Sequence, residues 1–84
     1  MTLKILKGYA EQAAQFMNTE VEEIYEEELE SDAGFTLKND YSLQYAPYMD
    51  KPHILSHYDG KVIKEVHSTT SMNKMLEAIK EGVA

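Results

Sequence analysis

The chain contains no cysteine and no arginine. The lack of thiols excludes disulfides, thiolate nucleophiles and cysteine-ligated zinc or iron–sulfur sites. Arginine is the residue best suited to hold phosphate and carboxylate groups through paired hydrogen bonds. Its absence, combined with a net charge of −7, argues against direct binding to nucleic acid or to an anionic membrane surface.

Long apolar runs are also missing. No stretch approaches the ~20 apolar residues that span a bilayer, and residues 1–8 hold two lysines but no apolar run of signal-peptide length. The 43% hydrophobic content is typical of a folded globule. We therefore expect one domain over residues 1–84, in a soluble protein of the cytoplasm. A chain this short buries roughly 60–65% of its unfolded surface, so we expect no large internal ligand cavity.

The first third of the chain shows helical periodicity. Apolar residues recur at spacings of three and four; they are Leu6, Ala10, Ala13, Met17, Val21 and Ile24. Gly34 closes a Ser-Asp-Ala-Gly stretch that is typical of a helix stop. The pattern predicts an amphipathic helix over residues 3–30. Because Gly8 costs a helix about 1 kcal/mol relative to alanine, the alternative is a regular helix that begins after Gly8, with residues 3–7 in a separate turn or short strand.

The middle of the chain alternates apolar and polar residues, which indicates strands. Residues 38–40 carry turn chemistry between two such runs. A two-residue loop would split the apolar side chains between the two faces of the hairpin. A three-residue loop at residues 39–41 places Phe35 opposite Tyr45 and Leu37 opposite Leu43, and we favour it because it leaves one face apolar.

A second hairpin is the clearest local signal. Asp59-Gly60 separates two strand-like runs, residues 53–58 and 61–67, and favours a type I′ turn. Ser68–Ser71 offers several N-cap candidates for a closing helix that ends near Glu81. One face of that helix is apolar; it consists of Met72, Met75, Leu76 and Ile79.

These elements predict an α+β, two-layer domain with an N-terminal helix, a four-stranded antiparallel meander and a C-terminal helix. Both helices should cover one face of the sheet. The other face of the sheet is then either exposed to solvent or part of an interface with another molecule.

Residues 20–32, called the acidic segment below, are the most unusual feature. Eight of the thirteen residues are acidic, and no lysine lies between Lys7 and Lys38. In a helix, two carboxylates one turn apart repel each other, and each such pair destabilises the helix by roughly a few tenths of a kcal/mol. The neutral interpretation is a solvated, solubilising face.

The sharper hypothesis is that the acidic segment binds a basic protein surface. Its candidate partner-binding residues are Glu20, Glu22, Glu23, Glu26, Glu27, Glu30 and Asp32. A helical row of carboxylates would have a charge density of the same order as duplex DNA, about one charge per 1.7 Å, so DNA mimicry is one form of this hypothesis. The alternating oxygen ligands of an EF-hand are absent, and we expect no calcium site.

The histidines are weak candidates for chemistry. His53 and His57 share a strand face but lie roughly 13 Å apart, too far for one metal ion. One extra turn residue after Gly60 would pair His67 with His53 and bring Glu65 near, whereas a two-residue turn separates them. We expect ordinary sheet histidines, no metal, no cofactor and no catalytic residue.

Tyrosines are frequent in the middle of the chain, and tyrosine and methionine are enriched in interface cores. Tyr45, Tyr48 and Met49 are therefore candidate interface residues for a homodimer through the sheet.

The sequence thus predicts a non-enzymatic adaptor or inhibitor whose glutamate-rich helix meets a basic partner, one form of which is a nucleic-acid-binding protein. Small acidic inhibitors encoded by phages and mobile elements share this composition, although no motif matches them. The alternative is a structural or regulatory homodimer in which the acids only confer solubility.

Overall fold

The computed structural model describes residues 3–26 and 33–83. Within them the chain forms, in order, α1 (Leu3–Phe16), β1 (Val21–Glu26), β2 (Ala33–Leu37), β3 (Tyr41–Tyr45), β4 (His53–Tyr58), β5 (Ile63–Thr69) and α2 (Met72–Lys80). The predicted α+β architecture with a helix at each end is confirmed. The prediction of four strands is wrong, because residues 21–26 form a fifth strand instead of continuing the first helix.

The sheet is an antiparallel meander in the order β1-β2-β3-β4-β5. Each strand is hydrogen-bonded to its neighbour in sequence, so short connections suffice and no crossover is needed. Among the described strands, β1 and β5 lie at the two edges.

The core lies between the sheet and the two helices. Leu6 and Ala10 of α1 pack against the inward-facing residues Phe35, Leu43 and Leu55, each of which is at most 1% exposed. Burying side chains of this size stabilises the fold by about 1.5–3 kcal/mol each. Both helices therefore cover the same face of the sheet, as predicted, and the opposite face is called the open face below.

The closing helix α2 is confirmed. Ser71 is its N-cap, and its hydroxyl oxygen accepts a hydrogen bond from the backbone N–H of Lys74. The four residues predicted to form its apolar face are buried; they are Met72, Met75, Leu76 and Ile79. Neither helix of the described chain is long and apolar enough to cross a membrane.

The β2–β3 hairpin keeps the predicted face but not the predicted pairing. Phe35 lies opposite Leu43, and the loop is Lys38, Asn39 and Asp40. The loop has three residues, as predicted, but begins one residue earlier because Asp40 adopts the left-handed conformation (φ 70°) that such loops require.

The β4–β5 hairpin is confirmed, but it has neither the two-residue turn nor the three-residue turn between which the sequence left its register open. Tyr58 pairs with Ile63, so four residues connect the strands. The carboxylate of Asp59 accepts hydrogen bonds from the backbone N–H groups of Lys61 and Val62. These bonds stabilise the wider loop and lower the pKa of Asp59.

Candidate functional site

The acidic segment is not helical where the structure describes it, which corrects the prediction of a helix over residues 3–30. Helix α1 ends at Phe16, and Asn18 adopts a left-handed conformation (φ 55°) typical of a helix C-terminus. The N–H of Thr19 then bonds to the carbonyl oxygen of Ala14 at 2.9 Å. Two effects favour the strand β1: β-branched residues suit it, and it removes the repulsion between glutamates one helical turn apart.

Part of the predicted partner-binding set lies outside the described residues, namely Glu27, Glu30 and Asp32. The described members are Glu20, Glu22, Glu23 and Glu26. A strand directs successive side chains to opposite faces, so these carboxylates do not form the single row that a helix would have produced.

Glu20 already has a partner within the chain. The Nζ of Lys38 donates a hydrogen bond to its carboxylate at 2.7 Å, and both side chains are exposed. The hydrogen bond and the charge of Lys38 lower the pKa of Glu20. Glu20 is therefore the described acid of this set that is least available to a second cation.

Glu22 and Glu23 lie at an irregularity in the β1–β2 ladder. Val21 pairs with Leu37, but the next pair is Glu23 with Thr36, so Glu22 is an extra residue on the edge strand. Both glutamates are exposed and line a groove on the open face with Tyr58. A bulge bearing charges also discourages unspecific strand pairing at an edge.

Glu26 lies on the other face. It pairs with Ala33, whose side chain is buried in the core, so Glu26 points toward the helix side at the margin of the sheet. The edge β1 thus carries negative charge on both faces, with Glu22 and Glu23 near its start and Glu26 at its end.

A groove borders β1 on the helix side. Its volume is about 610 Å³, and Ala14 of α1 together with Val21 and Ile24 of β1 supplies its apolar lining. The other six lining residues are polar or charged; they are Lys7, Glu11, Gln15, Asn18, Thr19 and Glu20. Sequence reasoning missed this β1 groove because it assigned α1 and β1 to one continuous helix.

The candidate interface residues do not form one surface. Tyr45 is half-buried on the helix side, where its ring lies 5.0 Å from that of His53. Tyr48 and Met49 are exposed in the β3–β4 loop and line a different groove together with Glu65. A sheet-mediated dimer therefore has to use residues other than Tyr45.

The histidines are also separated. His53 pairs with Thr69 across the ladder and His67 pairs with Leu55, so the cluster of His53, His67 and Glu65 that a three-residue turn would have produced is not formed. No group of three potential metal-ligating side chains occurs among residues 3–26 and 33–83.

Among residues 3–26 and 33–83, His53 is the polar residue that is buried, with only 6% of its surface exposed. Its Nδ1 has no hydrogen-bond partner in the described part of the chain. Burial lowers the pKa of His53, because the charged imidazolium is poorly solvated there.

The described geometry therefore offers an acidic sheet edge beside a groove of mixed polar and apolar lining, together with a separate buried histidine. Protein-family models, curated proteins and solved structures were each compared with the chain, and none of them matches it.

Proposed function

We propose that this protein is a non-enzymatic binding protein that docks an extended, basic segment of a partner protein along β1. One observation carries the proposal: an edge strand bearing Glu22, Glu23 and Glu26 lies beside the β1 groove, whose apolar part is formed by Ala14, Val21 and Ile24. Adding a strand to a sheet edge is a common way for proteins to bind peptides, because main-chain hydrogen bonds supply affinity and alternate side chains supply specificity.

Charge complementarity supports a basic partner. The chain carries 15 acids against 8 lysines, and the 30 residues between Lys7 and Lys38 contain no lysine. Glu22, Glu23 and Glu26 are all exposed. At physiological ionic strength the screening length is about 8 Å, so docking that uses these charges should weaken steeply with salt.

The two faces of β1 define the pattern of the partner segment. Side chains of an added strand alternate between the faces. Those on the helix side enter the β1 groove and contact Val21 and Ile24, which favours apolar residues. Those on the open-face side pass Glu23, which favours lysine or arginine. The partner segment should therefore alternate apolar and basic residues.

DNA mimicry loses its geometric basis in the described part of the acidic segment. That hypothesis required a continuous helical row of carboxylates, whereas β1 divides Glu23 and Glu26 between opposite faces. A basic peptide fits this arrangement better than a surface shaped for a duplex.

Synthetic peptides test the proposal. A labelled peptide of alternating lysine and valine is titrated with the protein, and fluorescence anisotropy reports binding. We expect saturable binding that weakens with salt, with NMR amide shifts concentrated in β1. A peptide with the same composition but with its lysines and valines in separate blocks should bind more weakly, because it cannot satisfy both faces.

Two sets of neutralised variants provide the matched control. Glu22→Gln, Glu23→Gln and Glu26→Gln together should weaken binding at least about tenfold, the effect of losing about 1.4 kcal/mol. Glu65→Gln, Glu77→Gln and Glu81→Gln change the net charge equally but lie on β5 and α2 and its end. Equal losses of affinity in the two triple variants would show that binding depends only on the net charge of the protein, which would contradict a docking site on β1.

A homodimer through the open face is the second candidate, favoured by one specific pair. Tyr58 and Ile63 lie opposite each other on that face and are 45% and 69% exposed. Light scattering should then give twice the monomer mass, and Ile63→Lys should restore the monomer. A monomeric mass for the unmodified protein at high concentration would exclude this alternative.

A further inference from the structure

Among the described strands, β5 forms the edge of the sheet opposite to β1. Its first half is regular, because the bulge in the β4–β5 ladder comes only after Glu65. This half is also apolar for a free edge: Val62, just before the strand, is 49% exposed and Ile63 is 69% exposed. Natural proteins usually protect such an edge against pairing with another chain, so residues 61–65, called the β5 edge below, are a candidate interface.

Backbone groups of the β5 edge point away from the sheet. The N–H of Asp59 donates to the carbonyl oxygen of Val62 at 3.2 Å. Because hydrogen-bonded and non-hydrogen-bonded pairs alternate in an antiparallel ladder, Ile63 and Glu65 occupy non-hydrogen-bonded pairs with β4. Their N–H and C=O groups are therefore directed outward, where they are positioned to bond to a further strand.

The carbonyl of Lys61 adds a third outward acceptor. The N–H of Val62 donates to the Asp59 carboxylate at 3.0 Å, inside the loop. A peptide unit is planar and trans, with its C=O and N–H pointing in opposite directions, so the Lys61 carbonyl oxygen points away from β4. The N–H of Lys61 also donates to Asp59, so Lys61 offers an acceptor to a neighbouring strand but not a donor.

We propose that the β5 edge pairs antiparallel with the β5 edge of a second copy of this chain, about a two-fold axis at Ile63. An axis perpendicular to the sheet keeps the open faces of both copies on the same side. The two Ile63 residues exchange both backbone hydrogen bonds, and the N–H of each Glu65 donates to the Lys61 carbonyl of the other copy. The two sheets become one, with a β1 strand at each outer edge.

Charge complementarity selects this register. With Ile63 at the centre, Lys61 of each copy lies opposite Glu65 of the other, which gives two symmetric ion pairs. Lys64 then lies opposite Val62, over which its methylene stem packs. An axis at Lys64 or at Glu65 would instead place like charges directly opposite each other, which destabilises a sheet. Self-pairing of β1 is disfavoured for the same reason, because its exposed glutamates would lie side by side.

The contact is short, and association is therefore weak. Five residues from each copy take part, whereas a standard interface uses about 20–30 residues a side. A dissociation constant on the order of 0.1–1 mM is the expected consequence. Residues 59–65 contain two lysines and two acids, so the net charge of −7 does not accumulate at the contact.

Charge reversal at the two ends of the register tests the proposal. In sedimentation equilibrium the unmodified protein should rise toward twice its monomer mass by about 2 mM, and NMR amide shifts that depend on concentration should concentrate in the β5 edge. Lys61→Glu and Glu65→Lys should each weaken association about tenfold, because each brings like charges together. The double variant carrying both changes restores two ion pairs of reversed polarity and should recover most of the affinity. Both residues are exposed, so the variants should fold.

Lys80→Glu and Glu77→Lys are the matched controls, because they change the net charge equally but lie on α2. They should leave association unchanged. A protein that stays monomeric at about 2 mM would overturn the proposal. So would a double variant that fails to recover, since a dimer through the open face depends on Tyr58 and Ile63 and is not rescued by exchanging the two charges. The peptide-binding experiment uses β1, so its outcome is independent of this one.

Discussion

Tyr25 covers Gly34 across the β1–β2 ladder on the open face of the sheet. The two residues pair directly, and a Cβ placed on Gly34 would lie 2.5 Å from the Tyr25 hydroxyl oxygen and would also collide with the Leu43 carbonyl oxygen. Gly34 is therefore required by close packing, since the ring of Tyr25 occupies the space that any larger side chain would need. The contact attaches the acidic edge strand to the rest of the sheet.

Replacement of this glycine tests the contact. Gly34→Ala should destabilise the protein by about 1–3 kcal/mol, because the added methyl group displaces Tyr25 or the β3 backbone. Urea unfolding monitored by circular dichroism measures the change. Gly8→Ala is the control: nothing lies within 4 Å of its added Cβ and it sits inside α1, so it should stabilise by about 0.5–1 kcal/mol. Equal stability of Gly34→Ala and the parent would contradict the contact.

The stability of the protein should depend on the protonation of His53. Burial lowers its pKa in the folded state below the ordinary value of 6.5, so the unfolded chain binds the proton more tightly. The free energy of unfolding should therefore be highest above pH 6.5 and should fall as the pH drops from 6.5 through the folded-state pKa. Urea titrations at several pH values measure this slope.

His53→Phe should flatten the dependence between these two pKa values, because the group that titrates is removed. His67→Gln is the matched control, since it removes a histidine from the neighbouring strand β5. If the pH dependence persists in His53→Phe and disappears in His67→Gln, then His67 and not His53 is responsible for it, and the prediction is wrong.

The ion pair with Lys38 should lower both the pKa of Glu20 and the availability of its carboxylate to a basic peptide. Lys38→Gln removes the hydrogen bond and the charge that hold down the pKa of Glu20, so that pKa should rise toward its ordinary value of 4.5. The variant should also bind the alternating lysine–valine peptide more tightly, because one more carboxylate near β1 becomes available. NMR titration of the Glu20 carboxyl carbon and anisotropy measure the two effects. Lys61→Gln, which changes the net charge equally in the β4–β5 loop, should leave the Glu20 pKa unchanged.

Ser71 should be the cap that determines the start of α2. Ser71→Ala removes the acceptor for the Lys74 N–H and should cost about 0.5–2 kcal/mol in unfolding experiments. Ser68→Ala is a suitable control, because Ser68 lies within β5. A larger loss from Ser68→Ala would show that the serine before Met72 is not the effective cap.

The sequence by itself determined the closing helix and the inward faces of the central strands. A serine-rich cap followed by an apolar stripe at helical spacing specifies α2 locally. Alternation at Phe35, Leu37 and Leu43 assigns these residues to one face whichever three-residue loop is used, since side-chain direction in a strand repeats every two residues.

Only the tertiary structure decided the state of residues 21–26. Val21 and Ile24 are three apart, which suits a helix, but in the strand the bulge at Glu22 puts both on the helix-facing side. The pairing of β1 with β2 and the packing of Tyr25 over Gly34 are contacts between two segments, and the residue pattern within one segment does not reveal them. The same holds for His53, whose burial depends on α1 and α2 meeting above β4. It also holds for the β1 groove, because the groove forms only when residues 21–26 leave the helix and pair with β2.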